Sequence, residues 1–309
     1  MKDLCYGGYV EVKDNVYGKY LIKEKILIDL INTKSIQRLK KVRQQGLPKE
    51  WHHGVEFSRY GHSVGVMILL SRFGATLKER VAGLLHDVSH MAFSHVYDYL
   101  VKNTNETSGD DIYYKHLLND KEIQKILNKY GYSIEDFKDL DRFSLLEREA
   151  PDLCADRIDY TLREYEGFKK NKIKLNTIIN DFIIVDREIM FKTKKSANEF
   201  YKMYDYFQAN HWGGIKHMMN YNIFVDVLNR ALVLKLIKMS DFYKDDEYIL
   251  KIIKKSKDPI IVAGINKLAT KNFKIPKGKN VFIGKKRVVN PRYVENKSAL
   301  YLLDNNIKK

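Results

Sequence analysis

The stretch Ala82-Gly83-Leu84-Leu85-His86-Asp87-Val88-Ser89-His90 places a histidine–aspartate pair directly after an apolar helical segment. An imidazole beside a carboxylate suits a divalent metal of borderline hardness. His90 follows His86 at the spacing of the His-Glu-x-x-His motif of zinc proteases. Here the second residue is Asp, one methylene shorter than the protease base, and no third protease ligand follows at a recognised spacing. The stretch therefore favours a metal site of another class.

Further candidate ligands lie on the helices predicted before and after this stretch. Ser58 is a predicted N-cap for a helix from Arg59 to Arg72, and His62 lies in the first turn of that helix. Two imidazoles and two carboxylates would leave coordination positions open for water and substrate, as a catalytic metal site requires. The predicted ligands of one divalent metal ion are His62, His86, Asp87 and Asp156.

A polar stripe follows Pro151, which predicts the start of a helix that runs to Tyr165 and stops at Gly167. The stripe has helical spacing and consists of Asp156, Asp159, Tyr160 and Arg163. A solvated helix face is one interpretation. The other is the wall of a site, because Arg can bind phosphate through two hydrogen bonds and Tyr can pack on a sugar or base.

The rest of the chain predicts a mainly α fold with a minor β part. Apolar spacing indicates a helix over Glu24–Gln44 and mostly helix over Ala197–Met239. Alternating residues around Asp186-Arg187-Glu188 predict a β-hairpin over 181–193. The first 20 residues indicate strand and turn, and the tail from Ile260 to Leu303 indicates short strands, turns and a final helix. We expect one unit over residues 1–245 and a mixed α/β extension packed on it over 246–309.

Composition excludes several protein classes. With 44% hydrophobic and 30% charged residues in 309, the chain is neither disordered nor membrane-spanning in character. Only Cys5 and Cys154 are present and no signal peptide opens the chain, so we expect a cytoplasmic protein without membrane contact. The net charge of +16 is consistent with a polyanionic partner, although lysines spread over solvated faces would explain it equally well.

At the residues quoted above the sequence resembles the HD-domain phosphohydrolase superfamily, and most strongly its branch of deoxynucleoside triphosphate triphosphohydrolases. The superfamily pattern is a His, a His-Asp pair and a distant Asp, all on helices. The resemblance covers about residues 15 to 240. Its matching stretches are Gln37-Arg38-Leu39 with Gln44, Ser58-Arg59-Tyr60-Gly61-His62-Ser63, Ala82-Gly83-Leu84-Leu85-His86-Asp87, Phe93-Ser94-His95 and Asp156-Arg157-Ile158-Asp159-Tyr160.

The resemblance implies a compact HD-domain helical bundle, often a homo-oligomer, whose metal-bound water attacks phosphorus. It implies that Arg59 contacts the phosphates and that His90 and His95 lie beside the phosphate chain, with one of them passing a proton. It also implies that Gln44, Tyr160 and Glu164 meet the sugar or base. Mixed nitrogen and oxygen ligands fit Mn, Fe, Co, Ni or Zn, and Mg is an alternative when phosphates are bound.

The sequence departs from this branch at one place. Its members usually carry a His-Glu pair after the Phe-Ser-His segment, and the histidine of that pair is a catalytic candidate. The stretch Asn103-Thr104-Asn105-Glu106-Thr107-Ser108-Gly109 has no histidine, and Asn105-Glu106 is the predicted counterpart of the pair. An amide can hydrogen-bond a phosphate but cannot pass a proton as imidazole does.

Three functions follow from these observations. The first is a metal-dependent phosphohydrolase acting on a nucleotide, with triphosphohydrolase-like activity on a (d)NTP. The second is an HD phosphohydrolase on another phosphoester, such as single-stranded nucleic acid, a cyclic nucleotide or a nucleoside monophosphate. The third is a nucleotide sensor that keeps the fold without turnover. The sequence has no Walker loop, dinucleotide glycine motif or RNA-recognition fingerprint.

Overall fold

The structure is a computed structural model that describes residues 3–6, 8–52, 54–101, 109–270 and 287–303. Helix dominates these residues, which confirms the predicted mainly α class. The helices are α1 (Lys25–Ile31), α2 (Lys34–Arg38), α3 (Arg59–Arg72), α4 (Leu77–Leu85), α5 (His95–Val101), α6 (Gly109–Asn119), α7 (Lys121–Lys129), α8 (Ala155–Lys169), α9 (Lys172–Asp181), α10 (Lys194–Phe207), α11 (Ile215–Val233), α12 (Asp246–Ile253) and α13 (Pro259–Thr270).

The β structure consists of two small sheets. An antiparallel sheet near the N-terminus has the order β1 (Asp3–Tyr6), β2 (Tyr9–Asp14) and β3 (Gly18–Ile22). The predicted hairpin is confirmed as β4 (Phe182–Val185) and β5 (Glu188–Phe191), joined by Asp186 and Arg187 with positive φ, as a tight hairpin turn requires. The C-terminal strands β6 (Arg292–Glu295) and β7 (Ser298–Tyr301) extend this second sheet.

The C-terminal tail is mixed α/β as predicted, but the described residues 287–303 contain strands instead of a final helix. The reason is not local, because β6 pairs in parallel with the edge of β5, with Phe191 opposite Tyr293. An unpaired strand edge presents backbone groups that a second strand can satisfy. The predicted turns at Gly278 and Gly284 lie outside the described residues.

Helices α3 and α4 pack against each other and carry two of the predicted metal ligands. Ser58 caps α3 as predicted, since its side chain accepts a hydrogen bond from the Gly61 amide, and Thr76 caps α4 in the same way. A Cβ at Gly83 would collide with the Leu70 side chain, so this glycine lets the two helices approach closely. The pair thus forms a rigid support for the site.

The predicted single helix over Glu24–Gln44 is wrong. The structure has α1 and α2 separated at Asn32-Thr33, followed by a 3-10 turn over Leu39–Lys41. The Thr33 hydroxyl donates to the Leu30 carbonyl at 2.7 Å and accepts from the Ile36 amide at 3.4 Å. These local bonds offer the backbone an alternative to the helical ladder, so α1 ends and α2 begins at a new N-cap, Thr33.

The predicted limits of the helix after Pro151 are also wrong at both ends. Helix α8 begins at Ala155, and it passes through Gly167 to end at Lys169. Gly167 lies inside the helix, where Val55 packs closely over it and leaves no room for a side chain. Lys170, in the left-handed region with φ of 52°, ends the helix instead.

Buried apolar side chains form two clusters. One is built on α3, α4 and α8 together with the N-terminal sheet and the hairpin. The other joins Met91–Leu100 to helices α11, α12 and α13. The predicted division after residue 245 stays a prediction. In the described part of the chain no helix has the length and apolar character needed to cross a membrane.

Candidate metal centre and phosphate cavity

Two buried histidines face each other at the ends of α3 and α4. The Nε2 atoms of His62 and His86 lie 3.2 Å apart. The Nδ1 atom of His62 lies 2.8 Å from Oδ2 of Asp159, and that of His86 lies 2.7 Å from the Gly83 carbonyl oxygen. These oxygens only accept, so Nδ1 is the donor in each neutral ring and both Nε2 lone pairs point into one space.

Two carboxylates complete this space. Oδ1 of Asp156 lies 2.8 Å from Nε2 of His62 and 3.6 Å from Nε2 of His86. Oδ1 of Asp87 lies 3.6 Å from Nε2 of His86. Facing nitrogen lone pairs and carboxylate oxygens require a cation between them, and this donor set fits a divalent metal of borderline hardness. The residues present therefore fit the predicted metal ion, with the four side chains as proposed ligands.

Electrostatics at these residues agrees with a cation site. Burial lowers the pKa of His86, but the carboxylates of Asp87 and Asp156 outweigh burial and raise the pKa to about 9. The pKa of His62 is raised in the same way, against burial, by Asp156 and Asp159. Burial raises the pKa of Asp87, but Arg59 and the histidines outweigh it, so this pKa lies well below its usual range. The pocket thus stabilises positive charge at its centre.

Arg59 connects the metal site to the residues predicted to meet phosphate. Its Nη1 atom donates to Oδ2 of Asp87 at 2.7 Å, and its Nε atom donates to Oγ of Ser94 at 3.1 Å. Its Nη2 atom lies 3.2 Å from Nε2 of His95. The Nε2 atom of His90 lies 3.1 Å from the other oxygen of Asp87. The three predicted catalytic residues therefore lie together beside the ligand set.

Asp98 is a residue that the sequence analysis missed. Its Oδ2 atom lies 3.1 Å from Nδ1 of His95, one turn earlier on α5. A carboxylate bonded to one ring nitrogen orients the other nitrogen, here toward Arg59. The spacing of His95 and Asp98 is the signal that could have identified the pair.

The site opens into two adjoining cavities. The larger has a volume of about 1020 Å³, and Arg59, His90, His95 and the four-residue stretch Glu147–Ala150 are part of its wall. The smaller, of about 290 Å³, is lined by the amides and aromatic rings of Gln45, Tyr99, Trp212, His217 and Tyr221. Gln44, Tyr160 and Arg287 line both cavities. Glu147, Arg148 and Arg287 had no local signal in the sequence, because only the fold brings them here.

Two predicted substrate residues lie elsewhere. Arg163 is buried and donates to Asp159 at 2.6 Å and to Asp14 at 2.8 Å, and it is not part of either cavity wall. Glu164 is also buried, where it pairs with His211 and accepts from the Val55 amide at 3.0 Å. The charged groups of both side chains are thus already hydrogen-bonded to protein partners. Neither residue lines the larger or the smaller cavity, so the structure gives no support to their predicted substrate contacts.

The polar stripe of α8 therefore divides in two. Asp156 and Tyr160 face the cavity, as a site wall requires. Asp159 and Arg163 form a buried network with Asp14 and the Tyr17 hydroxyl, which donates to Asp159 at 2.8 Å. Asp159 and Arg163 fit neither interpretation of the stripe, because they are buried and line neither cavity. Asp159 instead holds the His62 ring. Asn105 and Glu106 lie outside the described residues.

Comparison with known proteins identifies the family. The family model of the HD domain matches residues 59–164, which carry the whole predicted ligand set. The uncharacterized protein YdhJ of Bacillus subtilis is 34% identical over 256 residues, covering 82% of this chain and 78% of that protein. The chain belongs to the HD-domain phosphohydrolase superfamily. As a member it is a metal-dependent phosphohydrolase by family.

Two further relatives of this HD phosphohydrolase have named functions and match a smaller part of the chain. The metal-dependent phosphohydrolase cns2 of Cordyceps militaris is 37% identical over 159 residues, which are 52% of this chain and 46% of that protein. The human deoxynucleoside triphosphate triphosphohydrolase SAMHD1 is 24% identical over 238 residues, 69% of this chain and 35% of that protein. The chain thus spans less than half the length of either protein.

A solved structure supports the fold alone. The crystal structure of a hypothetical protein from Aquifex aeolicus superposes with a TM-score of 0.62 at 19% identity. The superposition covers 85% of this chain and 76% of that one. The likeness therefore extends beyond the residues that match the HD domain.

Proposed function

We propose that this HD phosphohydrolase acts on a nucleotide, with a nucleoside or deoxynucleoside triphosphate as the first candidate substrate. The observation that carries the proposal is the continuity of the site. Three of the four candidate ligands, His86, Asp87 and Asp156, line a cavity of about 1020 Å³, and the fourth, His62, is buried behind them. The wall of this cavity also includes Arg59, His90 and His95, and an amide- and aromatic-lined cavity adjoins it. A phosphate chain and a nucleoside need these two environments side by side.

The proposed ligands are His62, His86, Asp87 and Asp156, for one divalent ion of Mn, Fe, Co, Ni or Zn, or Mg with phosphates. When bound, the ion would polarise a water and offset charge on phosphoryl oxygens. Metal identity and homo-oligomer formation stay predictions.

The other residues have proposed roles at the phosphate. Arg59 is buried and already aligned by Asp87 and Ser94, so its guanidinium needs little reorganisation to meet developing negative charge. His90 and His95 lie with ring centroids 5.8 Å apart on the same wall and are the candidates to hold or pass a proton. Gln44 and Tyr160, between the two cavities, would contact the sugar or the base.

Triphosphohydrolase-like activity is the finer proposal. Its support is the resemblance of the motifs and the similarity to SAMHD1, a deoxynucleoside triphosphate triphosphohydrolase that is 24% identical to this chain over 238 residues. Against it stands Asn105 at the predicted position of the family's histidine, since an amide cannot pass a proton.

A phosphodiester substrate is the second candidate. Arg148 and Arg287 line the larger cavity together with Arg59, in a wall that also contains Glu147 and Glu149, and the chain carries a net charge of +16. These guanidinium groups would suit the phosphates of a short single strand. Binding that weakens steeply with salt would favour this candidate over a free nucleotide.

Product analysis tests the proposal. The Mn-loaded protein is incubated with a panel of NTPs, dNTPs, cyclic nucleotides and oligonucleotides, and the products are resolved by anion exchange. Tripolyphosphate plus nucleoside supports triphosphohydrolase chemistry, whereas pyrophosphate or orthophosphate keeps the nucleotide and moves the attacked phosphorus. Asp156→Asn should be inactive and Asp258→Asn, which breaks a remote ion pair to Arg230, should be active. Metal-loaded protein that turns over nothing would overturn the proposal and favour a sensor.

A further inference from the structure

The turn before His95 has an unfavourable backbone conformation. Phe93 and Ser94 both lie in the left-handed region, with φ of 66° and 44°. Side chains other than glycine rarely adopt this region, and the cost is about 1–3 kcal/mol per residue. Both residues are buried, and the next residue, His95, begins α5 on the wall of the larger cavity. Surrounding contacts must therefore hold this turn.

One carboxylate from the C-terminal part of the chain supplies these contacts. Asp246, at the start of α12, is completely buried. Its Oδ1 atom accepts from the Phe93 amide at 2.8 Å, and its Oδ2 atom accepts from the Arg43 amide at 2.9 Å. The Phe242 carbonyl accepts from the Ala92 amide at 2.8 Å, so residues 242–246 bond two successive amides of the turn. Such bonds to a buried carboxylate are roughly twice as strong as neutral ones.

Further hydrogen bonds connect the Phe93-Ser94 turn to Arg59. The Ser94 hydroxyl donates to the Arg43 carbonyl at 2.7 Å, on the residue whose amide Asp246 also holds. The Ser94 oxygen in turn accepts from Nε of Arg59 at 3.1 Å. Asp246 is thus connected through Phe93, Arg43 and Ser94 to both His95 and Arg59. None of these hydrogen bonds is made by a proposed metal ligand.

We infer that Asp246 is a positioning residue that holds the Phe93-Ser94 turn and thereby sets His95 and Arg59 against the phosphate. The C-terminal extension accordingly has a role in the site, although it lies outside the residues 59–164 that match the HD domain. The expected effect of Asp246 on turnover rests on the proposed function. The restraint that Asp246 places on the turn is independent of the proposed function.

The test compares Asp246→Asn with the control Asp258→Asn. Asp258 is also an acidic residue of the C-terminal region, but it is only partly buried and contacts Arg230 instead of the turn. An asparagine at 246 keeps the shape but replaces one of the two accepting oxygens with an amide NH2 group, which cannot accept from the backbone N–H that it faces. Amide exchange over residues 91–96 should rise at least about tenfold. The kcat for the best substrate should fall about 10- to 100-fold with metal content unchanged, because small misplacements of reacting groups have effects of this size.

Three results would overturn the inference. Wild-type exchange over residues 91–96 in Asp246→Asn would overturn it, and so would faster exchange with unchanged kcat and KM. If Asp246→Asn does not fold, Ser94→Ala replaces it: a kcat about tenfold lower with bound metal retained supports the connection, and a wild-type kcat overturns it. A wild-type protein without turnover would count against the proposed function only, since amide exchange would still decide whether Asp246 restrains the turn.

Discussion

The proposed site has a metal wall, with His62 and His86, and a phosphate wall, with His90 and His95, and the two are built differently. On the metal side the side chains of His62 and His86 are only 0% and 4% exposed, and each ring is held through its second nitrogen. On the phosphate side the side chains of His90 and His95 are 25% and 47% exposed, and His95 follows a left-handed turn. The metal wall is therefore preorganised by helices, whereas the phosphate wall depends on contacts made by remote segments.

The largest effect is expected from breaking the metal wall. His62→Gln and Asp156→Asn should each lose most of the bound Mn and lower kcat/KM by at least about 1000-fold, because the metal supplies several kcal/mol of charge stabilisation. Metal analysis of the purified variants and steady-state kinetics measure both effects. Full metal occupancy in both variants would remove these residues from the ligand set.

A smaller effect is expected from breaking the phosphate wall alone. Arg59→Gln should lower kcat about 100-fold, as the loss of one aligned donor to a developing charge does in other enzymes. Metal content should stay near that of the unmodified protein, because Asp87 keeps a second oxygen toward His86. Kinetics and metal analysis on the same preparation separate the two walls. If the kinetics do not change, Arg59 has no role at the phosphate.

The support behind the metal wall can be tested separately. Asp159→Asn should weaken Mn affinity about 10- to 100-fold, the usual effect of removing the partner of a ligating histidine. The matched control is Asp14→Asn, which disturbs the same Arg163 network at its far end without touching His62. Both variants should lower the free energy of unfolding by about 1–3 kcal/mol, since each weakens buried hydrogen bonds. Equal Mn affinities in the two variants would show that Asp159 only stabilises the fold.

The smallest effect is expected at the most exposed pair. Asp98→Asn should reduce kcat by less than about tenfold, below the roughly 100-fold cost of losing a general acid–base group, because His95 stays in place. His95→Gln should then reduce kcat by about 100-fold or more. The comparison of the two variants measures how much of the His95 contribution needs its carboxylate partner. A larger loss in Asp98→Asn than in His95→Gln would give Asp98 a direct role.

Features that depend on neighbouring residues could be predicted from the sequence. Ser58 caps α3 within one turn, and the alternation around Asp186-Arg187 forms β4 and β5, because both signals act over a few residues. The convergence of His62 on His86-Asp87 was also predictable, since the helices that carry these residues are neighbours in the chain.

The remaining features depend on contacts between distant parts of the chain. Asp159 and Arg163 have the same helical spacing as Asp156 and Tyr160, and only burial against Asp14 and Tyr17 gives the first pair a supporting role. Asp246 lies 153 positions from the amide it accepts from, so no local pattern indicates that bond. Local hydrogen bonding and periodicity thus determine the helices and the placement of the motif histidines on them. The residues that support the site are determined by the tertiary structure, because polar side chains that packing removes from water must hydrogen-bond to each other.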